Sequence, residues 1–489
     1  MAPGFLWYDL ETFGLEPRHD RIAQFAALRT DADLVPTGER LLLYCKPSPD
    51  YLPSPQSCLV HGISPQHALA EGLPEYEFAT RIRAAMTVPG TVVAGYNSLK
   101  FDDEFIRNLL YRNLYDPYER EWRSGSSRWD LIDLLRAARD LRPEGLVWPE
   151  GEEGRPIFTL GALAKANGVA LVAAHDAMHD VQATVELARL VRQRQPKLYE
   201  WYFTHRTRDS LRPLVDLVSR EPLVHTSVAY TSERGCTTLI APVALDPENR
   251  NQLLALDLRF DPSPVVGLSV EELRARVFTK AELLDAERIP LSRIRLNRCP
   301  FLAPLSTLSE GAARRLGIDL RTCLEHLAVV KRESELLQKL AAVFDAPSPA
   351  EEAADPELML YSRGFFPDGD RDAFDALHAA LASLPPAEAR RHAYALRFED
   401  ERPPTLIRRL FARNWPETLS PAEAKRWRAF CAARLQMPPL PGAADLATYS
   451  KAVAQRLEDP LLPARDKGIL LALLDYRAGL EREVLDYPG

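Results

Sequence analysis

The sequence predicts an α/β amino-terminal domain, then a small barrel-like domain of short strands, then an α-helical carboxy-terminal domain. Three observations carry this. Strand-like apolar runs alternate with helical periods from Phe5 to about Arg194. From about Pro196 the composition changes, and short strand candidates take over with a helix inserted among them. Beyond a tract of Ala, Pro, Ser and Glu between Asp345 and Asp355, helical periods alone recur. The expected divisions are residues 1–195, 196–350 and 351–489. At 489 residues the chain is too long for one ordinary core.

The first element is Phe5-Leu6-Trp7-Tyr8-Asp9-Leu10-Glu11, a buried strand closed by a turn at Gly14. Residues two apart on a strand share a face, so Asp9 and Glu11 project together. Two carboxylates on a core strand repel each other unless a cation sits between them, and Mg²⁺ or Mn²⁺ suits carboxylate oxygen. Ile22 to Arg29 and Arg40 to Cys45 are the next two strands, in a meander. Tyr51 to Pro65 reads as a proline-rich loop, with His61-Gly62-Ile63 as a simple turn.

Glu75 to Met86 is helical, and Thr91 to Asn97 returns as a buried strand. Phe101 to Leu110 has helical spacing, with Asp102 and Asp103 at its start, where carboxylates favour the helix dipole. Trp122, Arg123, Arg128, Trp129 and Arg136 follow. They suit stacking and charge neutralisation on a single-stranded nucleic acid, or equally a helix with a half-buried aromatic face. Phe158 to Asn167 is a short helix stopped by Gly168. His175 stands just before a longer helix that carries Asp180 and runs to about Arg194.

In the middle domain, His225 to Tyr230 and Cys236 to Val243 form a hairpin through Gly235, and Leu253 to Leu258 is a further strand. Ser269 opens the inserted helix with a capping-box pattern. In the last domain, helices are expected over 371–382, 386–396, 406–414, 422–435, 446–457 and 464–485. No catalytic constellation stands out in either.

A content of 46% hydrophobic and 27% charged residues describes a globular protein. The run Ile469 to Leu474 is far too short to span a bilayer, so no membrane partner is expected. Met1 to Gly4 lead straight into the first strand, which leaves no room for a signal peptide and makes the cytoplasm the expected location. Six scattered cysteines (Cys45, Cys58, Cys236, Cys299, Cys323, Cys431) lack zinc spacing and read as reduced thiols. A net charge of −8 does not exclude nucleic acid, because phosphate binding depends on local basic patches.

Asp9, Glu11, Asp102 and Asp180, with His175 five residues before the last acid, resemble the DEDDh branch of the DEDD 3′→5′ exonuclease superfamily. The text around them is similar to the bacterial exodeoxyribonuclease I family over nearly the whole chain: Tyr8 to Gly14, Gly95-Tyr96-Asn97 with Phe101 to Glu104, Tyr111-Arg112-Asn113, Ser127 to Asp130, Leu141 to Gly145 and His175 to Met178. The resemblance implies an RNase H-like nuclease domain with a mixed sheet, an SH3-like middle domain and a helical third domain. The implied activity is hydrolysis of single-stranded DNA from its 3′ end to nucleoside 5′-monophosphates, in DNA repair and recombination.

It further implies two Mg²⁺ ions, replaceable by Mn²⁺, held by Asp9, Glu11 and Asp180 with Asp102 completing the site. His175 would be the general base. Glu11, Arg107, Tyr118, Trp122, Arg136, Thr159 and His175 match substrate-contacting positions. Thr159 stands where familiar members carry arginine, so one charge is missing there, and the expectation is either that nearby Arg155 substitutes or that affinity is lower. The acidic C-terminal tail of single-strand DNA-binding protein is an implied partner, with Arg298 beside Cys299-Pro300-Phe301 among candidate contacts. A monomer is expected. The competing readings are a DEDDh exoribonuclease of the RNase T or oligoribonuclease type, which are much shorter chains, and a non-catalytic DNA-binding protein, which would have lost an acid.

Overall fold

The computed structural model describes residues 4–170, 176–345, 355–440 and 443–484. Its first sheet has the order β3-β2-β1-β4-β5, from β1 (Phe5–Thr12), β2 (Ile22–Thr30), β3 (Pro36–Tyr44), β4 (Val92–Gly95) and β5 (Ser127–Asp130). β1 pairs antiparallel with β2 and parallel with β4, so the sheet is mixed as expected. The period-two alternation of β1 feeds two cores. Phe5 and Trp7 enter one with Trp129, whereas Leu6, Tyr8 and Leu10 enter another with Phe78, Phe105 and Ile106.

Two stretches of the first domain differ from expectation. The proline-rich segment folds into two short helices, α1 (Pro55–His61) and α2 (Pro65–Glu71). Each begins with a serine whose side chain accepts a backbone N–H, followed by proline in the first turn, and Ser-Pro is itself a helix-start signal. His61 is no plain turn residue. It is buried, 3.2 Å from the Thr12 carbonyl, and accepts the Ile63 N–H through Nδ1. After α3 (Glu75–Met86) and α4 (Asp102–Arg112), the aromatic and arginine-rich stretch is not one surface element. It divides into α5 (Glu119–Trp122), the buried strand β5 and α6 (Leu131–Leu141). β5 is four residues long, and its Arg128 and Asp130 hide the apolar pattern.

α7 (Leu160–Ala166), α8 (Ala177–Arg194) and α9 (Pro196–Thr204) complete this part. Tyr199 and Tyr202 of α9 pack on Trp129, so the core runs past residue 195. It continues into the second sheet, order β10-β6-β7-β8-β9, formed by β6 (Leu223–Thr226), β7 (Thr237–Leu245), β8 (Gln252–Asp257), β9 (Leu291–Arg295) and β10 (Phe301–Pro304). β6 ends at Thr226, and residues 228–230 are a 3₁₀ turn rather than strand. A short α10 (Arg208–Leu211) precedes this sheet, and α11 (Val270–Phe278) is the inserted helix, with the capping box at Ser269. α12 (Glu310–Leu316), α13 (Leu320–Arg332) and α14 (Ser334–Ala342) follow.

The last helices are α15 (Asp368–Ser383), α16 (Pro386–Ala395), α17 (Pro403–Asn414), α18 (Pro421–Gln436), α19 (Leu446–Leu457) and α20 (Ala464–Val484). They share their cores with the first domain. Phe374, Leu406 and Phe411 pack with Tyr111 and Leu114, while Cys431, Tyr449 and Leu470 pack with Phe13, Tyr51 and Cys58. Among the described residues no helix is long and apolar enough to cross a membrane, and all six cysteines are buried and free.

Candidate active site

Asp9 and Glu11 follow Trp7 along one face of β1, opposite Ala26 and Gln24 of β2. The strand ends in a tight turn at Gly14, where a Cβ would fall within 1.9 Å of the Asp20 carboxylate. Asp180 lies in the first turn of α8, whose start is fixed by Asp176 accepting the N–H groups of Met178 (3.0 Å) and His179 (3.3 Å). Packing of α8 on β1 brings the three acids together: one carboxylate oxygen from each of Asp9, Glu11 and Asp180 lies within 4.8 Å of the others. Asp102, the first residue of α4, is buried beside them.

Burial raises the pKa of Asp9 well above its ordinary range, and the charges of Asp102 and Asp180 raise it further. Glu11 is pushed up to about 9 by burial, then by Asp9 and Asp180. Asp102 is raised well above its usual value, by burial first, with Asp103, Asp130 and Glu11 adding to it. Such a cluster holds protons until a cation replaces them. All its donors are hard oxygens, so the residues present fit Mg²⁺-type ions.

Asp103, one residue from Asp102, has the opposite electrostatics. It accepts the Tyr8 hydroxyl at 2.8 Å and Arg120 Nη1 at 2.8 Å, and pairs with Arg128. Burial alone would raise its pKa, but Arg120, Arg128 and Arg107 outweigh it and hold the carboxyl well below its ordinary value. Tyr8 adjoins Asp9 as Asp103 adjoins Asp102, so this bond behind the site fixes the spacing of the two acids in front. The sequence singles out Asp103 only as a helix-start charge. Tyr8, buried in the middle of β1, gives no local signal of the bond.

His175 lies outside the described residues. Trp122 is 63% exposed, with the Arg123 guanidinium 5.7 Å from its ring centre. Thr159 is exposed at the start of α7, and its side chain makes no cap bond. Arg107 is buried. Its Nε and Nη2 grip Glu121 at 2.8 and 3.0 Å, its Nη1 meets Glu104 at 2.9 Å, and its guanidinium lies over Tyr118. Arg136 is buried too, paired with Asp133 at 2.6 Å. These two charges are compensated within the fold. Glu104 joins all three parts of the chain, accepting also from Arg298 (2.5 Å) and from the Tyr361 hydroxyl. Arg298 is thus engaged, while Cys299 and Phe301 are fully buried, so the Arg298 to Phe301 stretch offers no open apolar pocket.

A mixed sheet whose central strand presents Asp-x-Glu to acids from two flanking helices defines a metal-dependent exonuclease, a phosphodiester hydrolase. The family models agree: Exonuclease matches residues 6–188, Exonuclease I SH3-like domain 206–346, and Exonuclease I C-terminal domain 354–480. Exodeoxyribonuclease I of Escherichia coli K12 is 44% identical over 86% of this chain and 88% of its own, and that of Haemophilus influenzae 41% over 87% and 89%. A solved exonuclease I from Methylocaldum szegediense superposes with a TM-score of 0.91 at 45% identity, covering 98% of this chain and 99% of that one. E. coli exonuclease I in complex with a dA16 oligonucleotide gives 0.92 at 40%, covering 98% and 100%. The chain belongs to the exodeoxyribonuclease I family.

Proposed function

We propose that this protein degrades single-stranded DNA from the 3′ end, releasing nucleoside 5′-monophosphates, in DNA repair and recombination. The observation that carries the reading is the set Asp9, Glu11 and Asp180 within 4.8 Å, inside a chain of this family. Asp9, Glu11 and Asp180 would hold the divalent ions, with Asp102 completing the site; Mg²⁺ is the proposed pair, and Mn²⁺ a substitute. When bound, such ions neutralise phosphate charge, lower the pKa of water and stabilise the departing oxygen.

The chain supplies the rest. His175 takes the proton of the attacking water. The exposed ring of Trp122 stacks on a base, and Tyr118 lines the same cavity. Thr159 donates one hydrogen bond where an arginine would add a charge. Arg107 and Arg136, positioned by Glu121 and Asp133, hold phosphates of the strand through their guanidinium N–H groups. The three parts converge on Glu104, which supports a passage too narrow for a duplex. Further proposals are a cytoplasmic monomer, and docking of the acidic tail of single-strand DNA-binding protein on a basic rim of the second or third part.

The test is incubation with end-labelled single-stranded DNA, duplex DNA and RNA, with Mg²⁺ and then with EDTA. Mononucleotides from single-stranded DNA alone, abolished by EDTA, are expected. Equal degradation of RNA would favour the exoribonuclease reading, and no degradation at all the non-catalytic one. A tail peptide producing no shift in a low-salt titration removes that partner.

A further inference from the structure

We propose that His61 is a positioning residue for Glu11: its neutral ring holds the end of β1 and so sets where that carboxylate points. The inference rests on the reading above in which Asp9, Glu11 and Asp180 hold divalent ions. β1 and β2 stay in one register from Phe5 to Glu11, which faces Gln24, but the next residue, Thr12, faces Ile22. Ala23 is the extra residue, so a bulge falls directly after Glu11. Bulges break the ladder and re-aim the side chains beside them.

Beyond the bulge, the end of β1 is held from α1. The Ser54 N–H donates to the Phe13 carbonyl at 2.6 Å, and Nε2 of His61 lies 3.2 Å from the Thr12 carbonyl. The first bond is backbone to backbone. The second exists only with a suitable side chain at position 61. The Ile63 N–H donates to Nδ1 at 3.0 Å, so Nδ1 carries no hydrogen. A neutral imidazole then has its hydrogen on Nε2, the atom that faces Thr12. The helix end that carries the ring is itself braced. Gly62 adopts φ +80°, and a Cβ there would fall 2.2 Å from Nη2 of Arg465 in α20. Nη1 of the same arginine donates to the Leu59 carbonyl at 3.3 Å.

Glu11 needs such a hold. The charges that act most on it are those of Asp9, Asp180 and Asp176, and all three repel it. Repulsion favours turning the side chain away from the cluster, so the backbone that aims it inward must be stiff. His61 stiffens it one residue away.

The test uses the full chain and substitutes His61 in three ways. Glutamine sets its amide N–H near the place of Nε2, so His61→Gln keeps the Thr12 bond. Asparagine sets its oxygen near the place of Nδ1, so His61→Asn keeps the Ile63 bond alone. His61→Leu keeps neither. Mn²⁺ binding is measured by calorimetric titration without DNA, and kcat and KM on single-stranded DNA. His61→Asn and His61→Leu should each lose about 10- to 100-fold in Mn²⁺ affinity and in kcat, the range for a group that orients a metal ligand, with KM for DNA little changed. His61→Gln should stay near wild type in both. If His61→Leu does not fold, the contrast between Gln and Asn decides alone. Equal behaviour of His61→Gln and His61→Asn, or wild-type Mn²⁺ affinity in His61→Asn, overturns the proposal and leaves the ring as packing. Failure of wild type to bind Mn²⁺ overturns the metal reading, and this proposal with it.

Discussion

Arg413 of α17 places Nη2 2.8 Å from Oδ2 of Asp50, a partner 363 residues earlier in the chain. Arg434 reaches the same carboxylate at 2.9 Å, and Glu357 pairs with both arginines. All are buried, and the cluster ties the last helices to the turn that follows β3. Burial alone would raise the pKa of Asp50, but Arg413, Arg21 and Arg434 outweigh it and hold the carboxyl well below its ordinary value.

Asp50→Ala should therefore cost about 3–5 kcal/mol in denaturant unfolding, because it strands buried arginine charge. The sign of the pH effect follows from the lowered pKa. The stabilisation is full above the unfolded value of about 3.9 and is lost as pH falls below it. The gap between wild type and variant should begin to narrow below about pH 4 and keep narrowing as pH falls further. A gap that stays constant down to pH 3 would show that the charge is not its source.

The acid cluster behaves in the opposite way. Glu11 is raised to about 9, so the folded, metal-free protein binds protons that the unfolded chain has lost. Its stability in EDTA should fall as pH rises from about 4 to about 9, and Mg²⁺ should flatten that slope. Asp9→Ala and Asp180→Ala should abolish turnover while melting no lower than wild type in EDTA, since each removes repulsion. Near-normal turnover in either variant would remove its residue from the metal site.

His175→Ala should slow cleavage roughly 10²–10⁴-fold with metal affinity largely kept. Its pH–rate profile should lose the acidic limb. If the limb persists unchanged, the proton goes elsewhere.

Tyr361→Phe deletes only the hydroxyl that the third part of the chain offers to Glu104. If that junction helps to close the passage, the variant should release DNA sooner, giving shorter runs of cleavage per encounter on long substrates. Rate on a trinucleotide should change less, because few of its atoms lie outside the carboxylate site. Run lengths equal to wild type would mean that closure depends on other contacts.

Local order in the sequence determined much of this protein. The alternation of β1, the pairing of Asp9 with Glu11, the helix carrying Asp180 and the serine-capped starts of α11 and α18 follow from spacing alone, because each depends on residues within one or two turns. Tertiary structure decided the rest. Asp102 and Asp103 are the same residue side by side at one helix start, yet one joins a cluster that raises its pKa and the other meets three arginines that lower it. Arg107 and Arg136 are implied strand contacts in the sequence, and only the fold shows them buried beside Glu121 and Asp133. The boundary near Pro196 divides a composition but not a core, since Tyr199 and Tyr202 lie against Trp129. The physical reason is common to these cases. Periodicity reports which face of an element is apolar, whereas the state of a buried charge is set by partners that only folding brings near, as Asp50 and Arg434 are, 384 residues apart.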